Sequence, residues 1–149
     1  MEHLKLIAFD VDDLAVISAH LQEATLTVGD LVYAPHQKRF AAIVSRQDWA
    51  ALANSDAGSK SIDRCQTILR LERVLGASTT GIDLQNKSEP LSLLTLRFDP
   101  KTAGDPEGNV TLFFANGAAI RLHVECVEAE LRDLGLTGAL STARHDAGN

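Results

Sequence analysis

The feature that most restricts the fold is the stretch from Val110 to Val124, where apolar residues alternate on both sides of Asn116-Gly117. Asn-Gly is typical of tight β-hairpin loops. A two-residue loop would place Leu112 opposite Arg121 and send the apolar sets of the two strands to opposite faces. We therefore predict a three-residue loop that begins at Ala115, with its glycine left-handed in a G1 bulge. The expected pairs are Phe114 with Ala118, Leu112 with Ile120 and Val110 with Leu122.

Other short apolar stretches predict that most of the chain forms strands. Leu91 to Phe98 is apolar on both faces, which is typical of a central strand. Cys65 to Leu75 is ambiguous between helix and strand, and we predict a strand. The remaining expected strands are Leu4 to Phe9, Thr25 to Tyr33 with a bulge at Gly29-Asp30, Arg39 to Ser45 after a turn at 35–38, and about Ser78 to Leu84. Small and polar residues predict loops at 53–61 and 99–109.

Two helices are expected, one near each end of the chain. Asp12 or Asp13 can cap the first, whose apolar positions Leu14, Ile17 and Leu21 fall on one helical face. The second helix is amphipathic and ends at Gly135. Its apolar positions are Val124, Val127, Leu131 and Leu134, and Glu128 and Arg132 are spaced for an i,i+4 ion pair.

These elements predict an α+β fold that is mainly an antiparallel β-sheet or barrel, with an N-terminal helix and a C-terminal amphipathic helix. A hairpin leading into a final helix is the element order of a pleckstrin-homology-like barrel, and a two-layer α+β sandwich is the alternative. We expect a single domain over residues 1–137, because neither half of the 149-residue chain would bury a good core alone. Residues 138–149 are expected to be a flexible tail.

Composition excludes several classes of protein. A net charge of −6 without a Lys/Arg cluster argues against nucleic acid and against an anionic membrane surface as partners. No apolar run approaches the roughly 20 residues of a membrane-spanning helix. The first residues do not resemble a signal peptide, so a cytoplasmic location is expected. The two cysteines, Cys65 and Cys126, are expected to be reduced thiols.

The sharpest functional motif is the apolar stretch that runs into Asp10-Val11-Asp12, which resembles the first motif of the haloacid-dehalogenase-like phosphotransferases. That resemblance implies Asp10 as phosphoryl acceptor, Asp12 as general acid/base and Mg²⁺ as cofactor. However, Asp13-Leu14 replaces the usual Gly-Thr, and the strands after Thr25 do not alternate with helices. The aspartates are better interpreted as the cap of the first helix.

Two further constellations are weaker. His123 and Cys126 have the spacing of two zinc ligands, but a single pair leaves the coordination shell incomplete. Arg64, Arg70 and Arg73 suggest an anion-binding edge, yet the acidic residues between them favour a solvated strand face. The sequence therefore predicts no catalytic residue, no metal ligand and no cofactor.

Three segments together are similar to a known family: residues 117–129, Leu91-Ser92-Leu93-Leu94 and residues 13–22. The family consists of short alphaproteobacterial proteins that are grouped as a domain of unknown function. The resemblance implies a housekeeping role in the bacterial cytosol, since members are often encoded near histidinol dehydrogenase and a cell-wall precursor enzyme. It implies no catalytic residues.

Three hypotheses about function remain. The first is a non-catalytic small binding or protein-interaction module, favoured by the strand-rich pattern and the lack of convergent catalytic residues. The second is a Mg²⁺-dependent phosphotransferase that uses Asp10 and Asp12. The third is a self-associating structural protein, a homo-oligomer formed through an edge strand at 110–124 or at Arg39 to Ser45.

Overall fold

A computed structural model describes residues 4–47 and 64–136 of the chain. The described residues contain α1 (Val11–His20) and ten strands: β1 (Lys5–Ala8), β2 (Thr25–Thr27), β3 (Leu31–Ala34), β4 (Arg39–Gln47), β5 (Arg64–Leu71), β6 (Val74–Thr80), β7 (Pro90–Pro100), β8 (Gly108–Phe114), β9 (Ala119–Val124) and β10 (Ala129–Leu136). The predicted loop at 53–61 and the predicted tail at 138–149 lie outside the described residues. None of the described helices is long and apolar enough to cross a membrane.

The strands form one antiparallel sheet in the order β1-β10-β5-β4-β2-β7-β8-β9-β6, and β3 also pairs with β4. We call β1, β10, β5 and β4 the first half of the sheet, and β7, β8, β9 and β6 the second half. The short strand β2 joins the halves because it pairs with both β4 and β7. Since β1 and β6 end the path, the sheet is not closed into a barrel. The mostly antiparallel sheet is as predicted, and the pleckstrin-homology-like barrel is not confirmed.

Residues from both halves of the sheet and from α1 form one hydrophobic core. The apolar face predicted for α1 is confirmed, because Leu14, Ile17 and Leu21 are all buried. The N-cap, however, is Asp10 rather than Asp12 or Asp13, and its carboxylate accepts a hydrogen bond from the Asp13 N–H at 2.8 Å. The helix begins earlier than its apolar spacing suggested because β1 ends at Ala8 and leaves only a short turn.

The hairpin of β8 and β9 has the predicted register. Leu112 pairs with Ile120 and Val110 with Leu122, and the Phe114 N–H donates to the Ala118 carbonyl at 2.8 Å. Gly117 is left-handed, with φ of 80°. Asn116 is left-handed as well, with φ of 68°, a conformation that asparagine tolerates better than most residues. The interior position of β7 is confirmed. Cys65 to Leu75 is extended as predicted, but it divides at Glu72-Arg73 into β5 and the start of β6. Because β6 ends at Thr80, the strand expected at about Ser78 to Leu84 lies earlier in the chain.

The prediction of a C-terminal amphipathic helix is wrong. Residues from Ala129 onward form the strand β10, which lies between β1 and β5. Every second residue of β10 faces the core: Ala129, Leu131 and Asp133. Because the third of these is charged, the sequence does not show the alternation of apolar residues that is typical of a strand. Asp133 is held there by Arg46 of β4, at 2.8 Å. Glu128 accordingly pairs with Arg73 instead of Arg132.

Two smaller predictions are also corrected. The break at Gly29-Asp30 is one turn of 3-10 helix between β2 and β3 rather than a β-bulge. The segments predicted as edge strands, 110–124 and Arg39 to Ser45, have neighbours on both sides, because β8 lies beside β7, β9 beside β6, and β4 beside β5 and β3. Among the described strands, the ends of the sheet path are β1 and β6, and β3 is a further edge because it pairs with β4 alone.

Candidate anion-binding face

A row of four polar residues crosses the outer surface of the second half of the sheet. Arg97 pairs with Thr111, Thr111 with Arg121, and Arg121 with Ser78, so the row runs through β7, β8, β9 and β6. Neighbouring strands lie about 4.8 Å apart, which places the Cα atoms of the two arginines roughly 10 Å apart with Thr111 between them. We call these four residues the polar face.

Strand alternation explains why this row faces outward. Leu96, Leu112 and Ile120, each next in sequence to a member of the polar face, are buried in the core on the other side of the sheet. Because successive side chains of a strand point to opposite surfaces, burying these apolar residues turns Arg97, Thr111 and Arg121 away from the core. The same burial that stabilises the sheet therefore positions the polar face.

The polar face forms the floor of a depression of about 550 Å³. This volume lies within the range of about 300–1,000 Å³ that is usual for small-molecule sites. Its lining consists mainly of hydroxyl, amide and guanidinium groups: Ser78, Thr79, Thr80, Arg97, Asp99, Asn109, Thr111, Phe113, Ala119 and Arg121. Such a lining suits a polar ligand rather than an apolar one.

The two arginines differ in what holds them. Arg97 is fixed within the chain, since its Nε donates to an Asp99 carboxylate oxygen at 2.9 Å and its guanidinium lies 4.9 Å from the centre of the Phe113 ring. Arg121 is exposed and makes no hydrogen bond or ion pair with any residue that the structure describes. Its donors are therefore available to a ligand.

Thr111 lies between the two arginines and adds a third polar group. The residue is 7% exposed, and its hydroxyl bonds to no residue that the structure describes. Its oxygen is not a buried atom without a partner, so it opens onto the depression. A ligand on the floor of the depression would replace water at this hydroxyl.

The predicted metal pair of His123 and Cys126 is not brought together around a common site. His123 is half-exposed on β9, where its Nε2 lies 2.6 Å from a Glu107 carboxylate oxygen. Cys126 instead lines a separate, mostly apolar cavity of about 340 Å³ together with Phe9, Phe98 and other residues. Among residues 4–47 and 64–136, no group of three or more His, Cys, Asp or Glu side chains is arranged to hold a metal ion.

The aspartates of the phosphotransferase-like motif lie at the start of α1. Asp10 borders the apolar cavity and caps the helix, and Asp12 is exposed in the first turn. The preceding strand, β1, is an edge strand that pairs antiparallel with β10. These residues therefore do not follow a parallel strand, which is the setting that the motif requires.

The three arginines considered as an anion-binding edge are engaged within the protein. Arg70 contacts both Glu72 and Glu130, at 3.0 and 2.8 Å. Arg64 donates to the side chain and the carbonyl of Ser45. Arg73 pairs with Glu128, and this hydrogen bond and the nearby negative charge raise its pKa. Their arrangement agrees with a solvated strand face.

The sequence analysis did not identify the polar face, although two of its four residues could have been placed side by side. The hairpin register already places Thr111 opposite Arg121, because Leu112 pairs with Ile120. The contributions of Arg97 and Ser78 depend on strands β7 and β6 flanking that hairpin. No local pattern in the sequence predicts which strands lie beside the hairpin.

A protein-family model described as "Protein of unknown function (DUF2948)" matches residues 4–146. No curated protein and no solved structure matches the sequence.

Proposed function

The chain belongs to this family of unknown function, and we propose from its structure that it is a non-catalytic module that binds a small anionic ligand on the polar face. The observation that carries the proposal is the exposed Arg121 guanidinium beside the Thr111 hydroxyl, neither of which bonds to a residue that the structure describes. A guanidinium donates paired hydrogen bonds to carboxylate or phosphate oxygens. The ligand class is therefore a small carboxylate or phosphate.

Arg97 supports the same ligand from the opposite side of Thr111. Its contacts with Asp99 and Phe113 restrict the side chain, so less conformational entropy is lost when a ligand binds. Because one Asp99 oxygen already accepts from Arg97, part of the local positive charge is neutralised. The polar face thus fits a ligand with one or two negative charges better than a highly charged polyanion, in keeping with the net charge of −6.

A binding role is preferred over catalysis because of the groups that line the depression. Its described lining residues include no histidine or cysteine, and the one carboxylate among them, that of Asp99, accepts from Arg97 instead of a hydroxyl. Nucleophilic catalysis requires a nucleophile within hydrogen-bond reach of a general base. We place this role in the bacterial cytosol, where free thiols such as those of Cys65 and Cys126 stay reduced.

The test is a titration of the protein with inorganic phosphate and, separately, with citrate, at constant ionic strength, followed by the NMR shifts of backbone amides. We expect the shifts to concentrate on β8, β9 and β6. Arg121→Gln removes charge-assisted hydrogen bonds that are worth about 1.5–3 kcal/mol. The affinity should therefore fall roughly 10- to 100-fold.

A matched control is Arg132→Gln, which removes another exposed arginine, from β10 in the other half of the sheet. Like Arg121, Arg132 has no partner among the described residues. This variant should bind like the parent protein. Thr111→Val removes the floor hydroxyl at nearly constant shape and should weaken binding without lowering stability. If neither anion shifts the polar face, or if Arg132→Gln weakens binding as much as Arg121→Gln, the proposal is wrong.

A further inference from the structure

The strand β1 is an edge of the sheet that the described residues form, and it has an exposed apolar side chain on its outer surface. Within residues 4–47 and 64–136 it pairs with β10 alone. Ile7 is 50% exposed, and Phe9, directly after the strand, is 66% exposed. The opposite end of the sheet path, β6, finishes in exposed serine and threonine residues. An open edge with exposed apolar side chains is a template for pairing with another strand.

The hydrogen bonds of Leu4 show which backbone groups of β1 are unpaired on that edge. The Asp133 N–H donates to the Leu4 carbonyl at 2.9 Å, so Leu4 directs its backbone toward β10. Residues of an antiparallel strand alternate in the direction of their N–H and C=O groups. Leu6 and Ala8 therefore also bond to β10, whereas Lys5 and Ile7 direct their backbone groups away from the sheet.

We propose that a second copy of this chain pairs antiparallel with β1 about a two-fold axis at Ile7. A symmetric pair places one residue opposite itself, either in a hydrogen-bonded pair, as at Lys5 or Ile7, or in a non-hydrogen-bonded pair, as at Leu6 or Ala8. An axis at Leu6 would set each Ile7 opposite a Lys5, and an axis at Ala8 would leave Lys5 outside the paired strands. An axis at Lys5 would set two ammonium groups opposite each other, which is unfavourable. The axis at Ile7 is therefore the favoured register.

This register is complementary in charge and in polarity. It sets Ile7 against Ile7 of the second copy, so this exposed apolar side chain is covered by its own equivalent. It also sets Lys5 of each copy opposite Phe9 of the other, where an alkyl stem can cover the ring and a cation can approach its face. The acidic start of α1, with Asp10 as its cap, then lies beside the lysine of the other copy. Because the two-fold axis repeats each contact, this edge fits a second copy of the chain.

The first test is the solution mass over a series of protein concentrations, by sedimentation equilibrium. We expect a dimer that dissociates on dilution, because two paired edge strands bury less area than a typical stable interface. Ile7→Arg places two guanidinium groups opposite each other and should leave the protein monomeric throughout. The control is Val32→Arg, which makes the same change at a residue of β3 that is 58% exposed, and it should preserve the dimer.

The second test is a cross-link that reports the register. Residues opposite each other in a hydrogen-bonded antiparallel pair have Cα atoms about 5.5 Å apart, a separation that a disulfide spans. Ile7→Cys should therefore form a covalent dimer under mild oxidation. Val16→Cys, at an exposed position on α1, should not, and neither should the parent protein with its two native cysteines.

A monomeric parent protein at the highest concentration would overturn the proposal, and so would a dimer that Ile7→Arg leaves intact. A dimer without the Ile7→Cys cross-link would overturn the register. The proposal is independent of anion binding, because Arg121→Gln lies in the other half of the sheet and should leave the dimer unchanged.

Discussion

The buried ion pair between Arg46 and Asp133 is the interaction whose loss should most affect the stability of this fold. Both side chains are almost fully buried, 3% and 5% exposed. The Asp133 carboxylate accepts hydrogen bonds from Arg46, from the Thr67 hydroxyl at 2.9 Å and from the Leu4 N–H at 2.9 Å. This single carboxylate therefore connects β4, β5 and β10 with the residue that precedes β1.

Asp133→Asn keeps the shape of the side chain but removes its charge, so the Arg46 guanidinium stays buried without a counter-charge. Breaking a buried ion pair from one side costs about 3–5 kcal/mol. For a chain of this size each kcal/mol lowers the melting temperature by about 2–4 °C. We expect Asp133→Asn to melt roughly 6–20 °C below the parent protein at pH 7.

The effect should depend on pH in a defined direction. Burial alone would raise the pKa of Asp133, but hydrogen bonds from Leu4, Arg46 and Thr67, together with the charge of Arg46, outweigh it and hold the pKa below its ordinary value. A carboxyl whose pKa is lower in the folded state stabilises the fold above its unfolded pKa. That stabilisation is lost as the pH falls through the folded pKa. The difference between parent and variant should therefore be full at pH 7 and shrink below about pH 4.

The assay is thermal and urea unfolding, followed by circular dichroism, at pH 7 and at a series of lower pH values. Asp99→Asn is the control, because it alters an ion pair whose carboxylate is 52% exposed and should cost less than about 1 kcal/mol. The double variant Arg46→Met with Asp133→Leu removes both charges and should be more stable than Asp133→Asn alone. If Asp133→Asn costs no more than Asp99→Asn, or if its cost does not shrink in acid, the reasoning is refuted.

Three further substitutions test how the fold is held, each by the free energy of unfolding in urea. Asp10→Ala removes the N-cap of α1 and should cost about 1 kcal/mol; no loss would mean that the cap contributes nothing. Gly108→Ala should destabilise strongly, because a Cβ there would clash with the Asp99 carbonyl oxygen, and parent-like stability would contradict that close approach. Ser18→Ala leaves the buried Leu96 N–H without the acceptor it has at 2.9 Å and should cost about 1–3 kcal/mol, whereas a neutral result would imply another acceptor.

Local sequence patterns predicted the structure correctly where the residues that determine an element lie within that element. The hairpin register follows from the alternation of apolar residues around Asn116-Gly117, because only one loop length places both apolar sets in the core. The buried face of α1 follows from Leu14, Ile17 and Leu21 in the same way. In both cases the residues that set the structure are close together in the sequence.

Local patterns failed where a residue owes its position to a distant partner. Residues Val124 to Leu134 have apolar spacing that suits a helix, and the charged residues among them are good helix formers. The strand becomes apparent only when Asp133 is recognised as a core residue, and it is one only because Arg46, 87 positions earlier, neutralises it. The polar face has the same origin, since Arg97 and Ser78 reach it through the order of the strands.

The sequence by itself determined that this chain forms a mostly antiparallel sheet, with one helix buried against it and a hairpin of known register. The tertiary structure decided the strand order, the replacement of the expected C-terminal helix by β10, and the assembly of Arg97, Thr111, Arg121 and Ser78 into one candidate site. The physical reason is that apolar periodicity reports which side of an element is buried. It does not report which element lies next to it, and here neighbouring strands bring the candidate site together.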